Sequence, residues 1–172
     1  MAFSVWRAGQ TITATDLDEA SMIGALVFHA ERTTTQSISS GSDTVANAVS
    51  WNGVTYDVLG GWSSGNPTRW TAPQDGWWIV MGGIGFNSSS GGTIREAVWY
   101  LNGALSAMGR ARTYTSSSIA ASPLTVEART VPFQLSAGDY LELVPAQNSG
   151  AALDTATGSF RPYMSITYAG PA

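Results

Sequence analysis

The sequence predicts an all-β domain: a ten-stranded, two-sheet jelly-roll sandwich over residues 25–172, preceded by an arm, residues 1–24, with one short helix. Three observations carry that expectation. Gly, Ser, Thr and Ala dominate the 172 residues, only 12% are charged and 10% are aromatic, a mix that suits many turns and a packed core. Short alternating runs recur at regular spacing from Ala25 to Tyr168, separated by turn residues, and no linker divides them. The most apolar run, Trp77 to Phe86, contains three glycines and only ten residues, which argues against both a helix and a membrane span.

That run organises the rest. Read at period two, one face carries Trp78, Val80, Ile84 and Phe86, with Gly82 as a flat spot. The other carries Trp77, Ile79 and Met81, then Gly83 and Gly85. Both faces are apolar, so the strand needs cover on both sides. The domain's own core supplies one cover, and a partner subunit is the simplest second one.

The totals bound the function. A net charge of −4 disfavours nucleic acid and anionic membrane as partners, and no stretch is long and apolar enough to span a bilayer. Without cysteine the fold has neither disulfides nor thiol chemistry. All eight basic residues are Arg. Met1 to Arg7 has no charged start followed by an apolar stretch, so a chain that is cytoplasmic when made, or is assembled into a particle, is expected.

In chain order, Phe3, Val5 and Trp6 precede a turn at Gly9, and a helix is expected from Asp16 to Ile23, stopped at Gly24. Thr15 or Asp16 is the N-cap, and Asp18 and Glu19 complement the first turn, so the acidic trio reads as capping, not as a metal site. Two helical turns are unstable alone and must dock. Leu26 to Thr34 is a strand containing His29, and Gln36 to Asp43 a Ser-rich loop. Asn52-Gly53, between Val45–Trp51 and Val54–Val58, predicts a hairpin. Leu59 to Gly65 is a loop exposing Trp62.

Thr68 to Ala72 is a short segment, and Pro73 to Gly76 a turn into the apolar strand. Arg95–Leu101 and Leu105–Tyr114 flank a second Asn-Gly, Asn102-Gly103. Leu124 to Leu135 changes phase near Arg129-Thr130, which predicts a bulge. Tyr140 to Pro145 is a strand, Gln147 to Gly158 a loop, and Phe160 to Tyr168 a strand with Met164, Ile166 and Tyr168 inward.

Reaction chemistry is weakly represented. His29 is the single His, which excludes a two-His metal site, and it reads as a packed or interface residue. Asp75 and Asp139 sit in turns, where bonding to backbone explains them. Glu96, Glu127 and Glu142 alternate outward, expected to pair with Arg95, Arg129 or neighbours, so no carboxylate pair for glycoside cleavage stands out. The Asn87–Gly92 loop lacks the Lys and helix of a phosphate loop. No catalytic residue, metal or cofactor is expected. Arg110 and Arg112 share one strand face, a stripe that could grip an acidic partner or form an ion pair. Trp62, Asn87 and Asn148 mark polar Ser/Gly-rich loops, candidate contacts for a glycan or protein.

Two resemblances refine these expectations. The run D-V-L-G-G-W…N-P-T-R-W-T-A-P-x-D-G-W-W, the later N-G, and L-S-A-G-D-Y-L-E-L-V resemble the globular-head domain of complement's first component, within the tumour-necrosis-factor-like jelly-roll superfamily. Trp70 and Trp78 stand where that family has Phe and Tyr. The resemblance covers roughly Leu26 to Tyr168 and implies a homotrimer, with the apolar strand in the sheet facing the threefold axis. Trp77, Ile79, Met81 and Tyr163 are the expected subunit interface. From Trp6 to Glu19, W-x-x-G-x-x-I-T-A-x-x-L-D-E is similar to the start of many bacteriophage virion proteins, especially minor tail proteins. It implies a non-enzymatic virion knob on a tail, fibre or capsid surface, attached to other virion proteins through Phe3, Val5, Trp6, Ile12 and Leu17.

Overall fold

The computed structural model describes residues 9, 11, 13–41, 43–116 and 122–172. A helix α1 (Ala14–Met22) is followed by twelve strands: β1 (Leu26–Glu31), β2 (Ser37–Ile38), β3 (Gly53–Asp57), β4 (Arg69–Thr71), β5 (Gly76–Phe86), β6 (Ile94–Leu101), β7 (Ala104–Tyr114), β8 (Leu124–Glu127), β9 (Val131–Leu135), β10 (Tyr140–Gln147), β11 (Leu153–Asp154) and β12 (Tyr163–Gly170). Ten of them make a two-sheet sandwich. One sheet runs β3-β1-β12-β5-β8, with β9 also on β5, and the other runs β4-β10-β6-β7. The remaining pair, β2 and β11, forms a small ribbon inside two segments expected to be loops. Ile38 and Leu153 bury there, which is why these polar stretches are pinned.

The core follows the period-two reading. Trp78, Val80, Ile84 and Phe86 of β5 are fully buried between the sheets, as are Met164 and Ile166 of β12 and Leu141 and Leu143 of β10. An aromatic chain crosses the sandwich. Trp70 meets Trp78 edge-on with centroids 5.0 Å apart, and Trp78 meets Tyr168 at 4.8 Å. Val27 and Phe28 both point inward because β1 bulges against β12 between Leu26 and Phe28.

The glycines of β5 are contact points. A side chain at Gly82 would meet Leu143 and Trp99 in the core. On the opposite face, Tyr163 and Glu127 flank Gly83, and the backbone carbonyl of Phe160 occupies the place of a side chain on Gly85. The outer face of β5 is therefore covered by its own chain at the Phe86 end, not bare along its length.

Local turn chemistry succeeds at one Asn-Gly and fails at the other. Asn102 (φ 51) and Gly103 (φ 75) are left-handed and join β6 to β7. Asn52-Gly53 makes no such hairpin: β3 pairs with β1, and residues 45–51 are a single 3-10 turn followed by extended chain. Asn52 accepts the Thr33 amide at 2.8 Å, while Val49 and Trp51 bury in the core and donate their amides to Leu143 and Pro67. Burial of those two side chains outweighs the local hairpin preference. The phase slip at Arg129-Thr130 appears as a break between β8 and β9, both on β5. The Arg129 carbonyl there accepts the Trp99 indole at 2.8 Å. Helix α1 begins two residues before the expected start and docks at the end of β12, where the Gly24 amide donates to Tyr168 at 2.7 Å.

Candidate functional site

The six-stranded sheet presents one broad outer face with an apolar and a polar end. At the apolar end Trp77, Ile79 and Met81 lie in a row on β5, each half-buried. Their cross-strand neighbours are small or polar: Gly170, Thr167 and Ser165 on β12, Gln134 and Pro132 on β9. Tyr163, the fourth expected interface residue, opens β12 seven positions before Gly170 and is paired with Gly83. Its hydroxyl donates to Glu127 at 2.7 Å, and burial together with that bond pushes its pKa up to about 12.

Around Tyr163 the face turns polar. His29 and Glu31, two apart on β1, both point outward beside Ser165 and Tyr163 of β12. His29 Nδ1 lies 2.8 Å from Ser165 Oγ, and its Nε2 is 4.0 Å from Glu31. Arg161 reaches over from the turn before β12, donating Nη1 to Glu31 at 2.7 Å and Nε to the Gly158 carbonyl at 2.7 Å. His29, Glu31, Gly158, Ser159, Arg161 and Tyr163 enclose an open cleft of about 320 Å³. Of these, only His29 and Tyr163 were singled out in the sequence. His29 and Glu31 share a strand face two residues apart, a signal present in the chain, whereas Arg161 and Ser159 arrive by tertiary folding.

Arg110 and Arg112 lie on the outer face of the other sheet and are engaged within the chain. Both donate to Glu96, and Arg110 also donates to Asp43 at 2.8 Å. Glu96 is thus paired across β6–β7, not with Arg95. Arg95 points the opposite way, into the sandwich, and donates to the Ile94 and Gly91 carbonyls at 2.8 and 3.0 Å; burial lowers its pKa. Burial would raise the Asp43 carboxyl, but hydrogen bonds from Arg110 and Tyr100 and the Arg110 charge outweigh it, leaving its pKa below the ordinary value. Tyr100, buried and donating to Asp43 at 2.8 Å, is pushed up to about 12. The network fastens the segment around Asp43–Ala48 over Val98, Tyr100 and Val144, which pack with Ala48 in a second apolar cluster.

Glu127 and Glu142 also pair otherwise than expected. Glu127 takes Tyr163, and Glu142 is buried on the outer side of β10, accepting the Thr68 hydroxyl at 2.6 Å. Asp139 and Asp75 bond turn amides of Ser136 and Ala137, as their positions imply.

The three candidate loops do not form one surface. Asn148 and the Asn87–Gly92 loop meet at one end of the sandwich, where Asn148 Oδ1 accepts the Thr93 and Ile94 amides, both at 2.8 Å. Asn87 is tied to β11 through the Asp154 carbonyl at 3.0 Å. Trp62 is elsewhere and packs: it bridges to Trp70 and donates its indole to the Pro67 carbonyl at 3.2 Å. Leu17 is 57% exposed on α1, whereas Phe3, Val5, Trp6 and Ile12 lie outside the described residues.

No family model matches the sequence, and no curated protein matches it significantly. Among solved structures the chain is similar to Eiger TNF from S. frugiperda, at a TM-score of 0.63 and 10% identity, over 86% of this chain and 94% of that one. The fold is a tumour-necrosis-factor-like jelly roll.

Proposed function

We propose that the chain is a non-enzymatic structural protein of a bacteriophage virion: a homotrimeric knob, anchored to a tail, fibre or capsid surface by its N-terminal arm. The observation that carries this is the row Trp77, Ile79 and Met81, left partly exposed on a sheet whose other face is sealed. Closing three copies over that row would bury on the order of several hundred Å² per subunit, worth several kcal/mol at ~25 cal/mol/Å². The similarity of Trp6 to Glu19 to the start of phage virion proteins supports attachment to a particle. Electron microscopy of intact particles with a gold-labelled antibody to the domain tests the location. Labels at threefold-related tail, fibre or capsid positions are expected, and unlabelled particles would contradict it.

A second reading, adsorption to a host-surface glycan or protein, is favoured by the polar features the fold gathers. These are the joined Asn87–Gly92 and Asn148 loops. Fluorescent purified protein should then decorate host cells, and bare cells would remove this role while leaving the scaffold one.

A further inference from the structure

We infer that His29 makes subunit assembly pH-dependent: three chains close at neutral pH and separate as the imidazole takes up a proton. The inference rests on the homotrimer reading and adds to it the condition under which the trimer holds.

His29 shares the outer sheet face with the apolar row. It pairs with Tyr56 of β3 on one side and Ser165 of β12 on the other, and Ser165 pairs in turn with Met81 of β5. Two strand spacings, about 10 Å, separate the imidazole from Met81. A contact of several hundred Å² is roughly 20 Å across, so a partner seated on Trp77, Ile79 and Met81 also covers His29. Its side chain is 29% exposed in the single chain, and closure takes that surface out of water.

The surroundings suit a neutral ring and not a charged one. Nδ1 lies 2.8 Å from the Ser165 hydroxyl. The nearest carboxylate, Glu31, stands 4.0 Å from Nε2 and is already bonded to Arg161 at 2.7 Å, so that pair brings no net charge. Glu127 of β8 accepts from the Tyr163 hydroxyl, and Asp57 of β3 is turned to the Gly61 and Trp62 amides. An imidazolium closed into the contact therefore loses water without gaining a free counter-ion, which disfavours the charged form. Threefold closure also gathers three such charges into one assembly, where they repel.

The sign follows from linkage. A group that takes up its proton less readily in the assembled state than in separate chains weakens assembly as pH falls. His29 is the single histidine, and histidine is the side chain that ordinarily changes charge between pH 5 and 8. One unit below the ordinary imidazole value of about 6.5, the loss approaches tenfold per chain and roughly 1,000-fold for three.

Sedimentation of the full-length protein over a dilution series, at about pH 7.5 and about pH 5.5, measures the trimer association constant on either side of the imidazole value. Wild type should associate roughly 100- to 1,000-fold more weakly at the lower pH, with circular dichroism showing the separate chains still folded. His29→Gln and His29→Phe, which cannot titrate, should give constants within about twofold of each other at the two pH values. A wild-type trimer that is equally strong or stronger at the lower pH overturns the switch and leaves the trimer standing. Acid weakening that persists in either variant, or loss of the fold at the lower pH, overturns it as well. Single chains at both pH values overturn the switch and the trimer together.

Discussion

Phe160 places its backbone carbonyl oxygen where a side chain on Gly85 would begin. The obstacle is main chain, so it cannot rotate away. Gly85→Ala should destabilise the fold by about 3 kcal/mol, near the upper end for overpacking. Gly83→Ala meets only the Tyr163 ring at 2.8 Å and the Glu127 carboxylate at 3.1 Å, both side chains that can swing, and should cost about 1 kcal/mol. Urea denaturation of the two variants checks the order, and equal losses would mean that the turn over Gly85 yields freely.

Glu96 sits buried between two arginines of the neighbouring strand. Glu96→Gln leaves Arg110 with Asp43 alone and Arg112 without its carboxylate. Both arginines are partly exposed, so solvent screens much of the loss, and about 2 kcal/mol is expected. The same variant should raise hydrogen exchange around Asp43–Ala48, the segment this network fastens. Chemical denaturation with exchange mass spectrometry reads both effects.

Tyr163 and Tyr100 couple stability to alkaline pH. Their folded pKa values, raised to about 12 from an unfolded 10.0, mean that the folded state holds these protons more tightly than the unfolded one. Their contribution is fully present below pH 10 and is lost as pH rises from 10 to about 12. The Asp43 carboxyl, with its lowered pKa, works in the other direction: its contribution is present above the ordinary 3.8 and is lost as pH falls below it. Thermal melts across both windows test the signs. In Tyr163→Phe, one late-ionising phenol should vanish from the absorbance titration.

Asn102 is the one non-glycine residue with positive φ among those described, and its side chain donates to Asp139 and accepts from the Tyr140 amide. Asn102→Ala removes both bonds and strains the turn, an expected loss of about 2 kcal/mol by denaturation. Asn102→Gly keeps the backbone conformation and should lose less.

The two Asn-Gly pairs show where local sequence suffices. At Asn102-Gly103 nothing competes, and the turn forms as the dipeptide prefers. At Asn52-Gly53 the burial of Val49 and Trp51 redirects the chain, and no window of a few residues contains that information. The faces of β5, β10 and β12 were legible because alternation is a local property of strands. Side-chain partners were less so: strand alternation sets Glu96 outward, but only cross-strand register sets it against Arg112 and not Arg95. His29 and Ser165 stand 136 positions apart, so the cleft could not be read from the chain, although the His29–Glu31 spacing marks one wall of it.

The mass of the protein in solution tests the threefold knob most directly. Multi-angle light scattering at micromolar concentration should give three times the 18.0 kDa chain, about 54 kDa. Ile79→Glu, which puts a charge in the centre of the apolar row, should shift that mass toward one chain while the circular dichroism stays unchanged. A wild-type protein running at 18.0 kDa would mean that Trp77, Ile79 and Met81 rest against water, and the trimer would have to be abandoned.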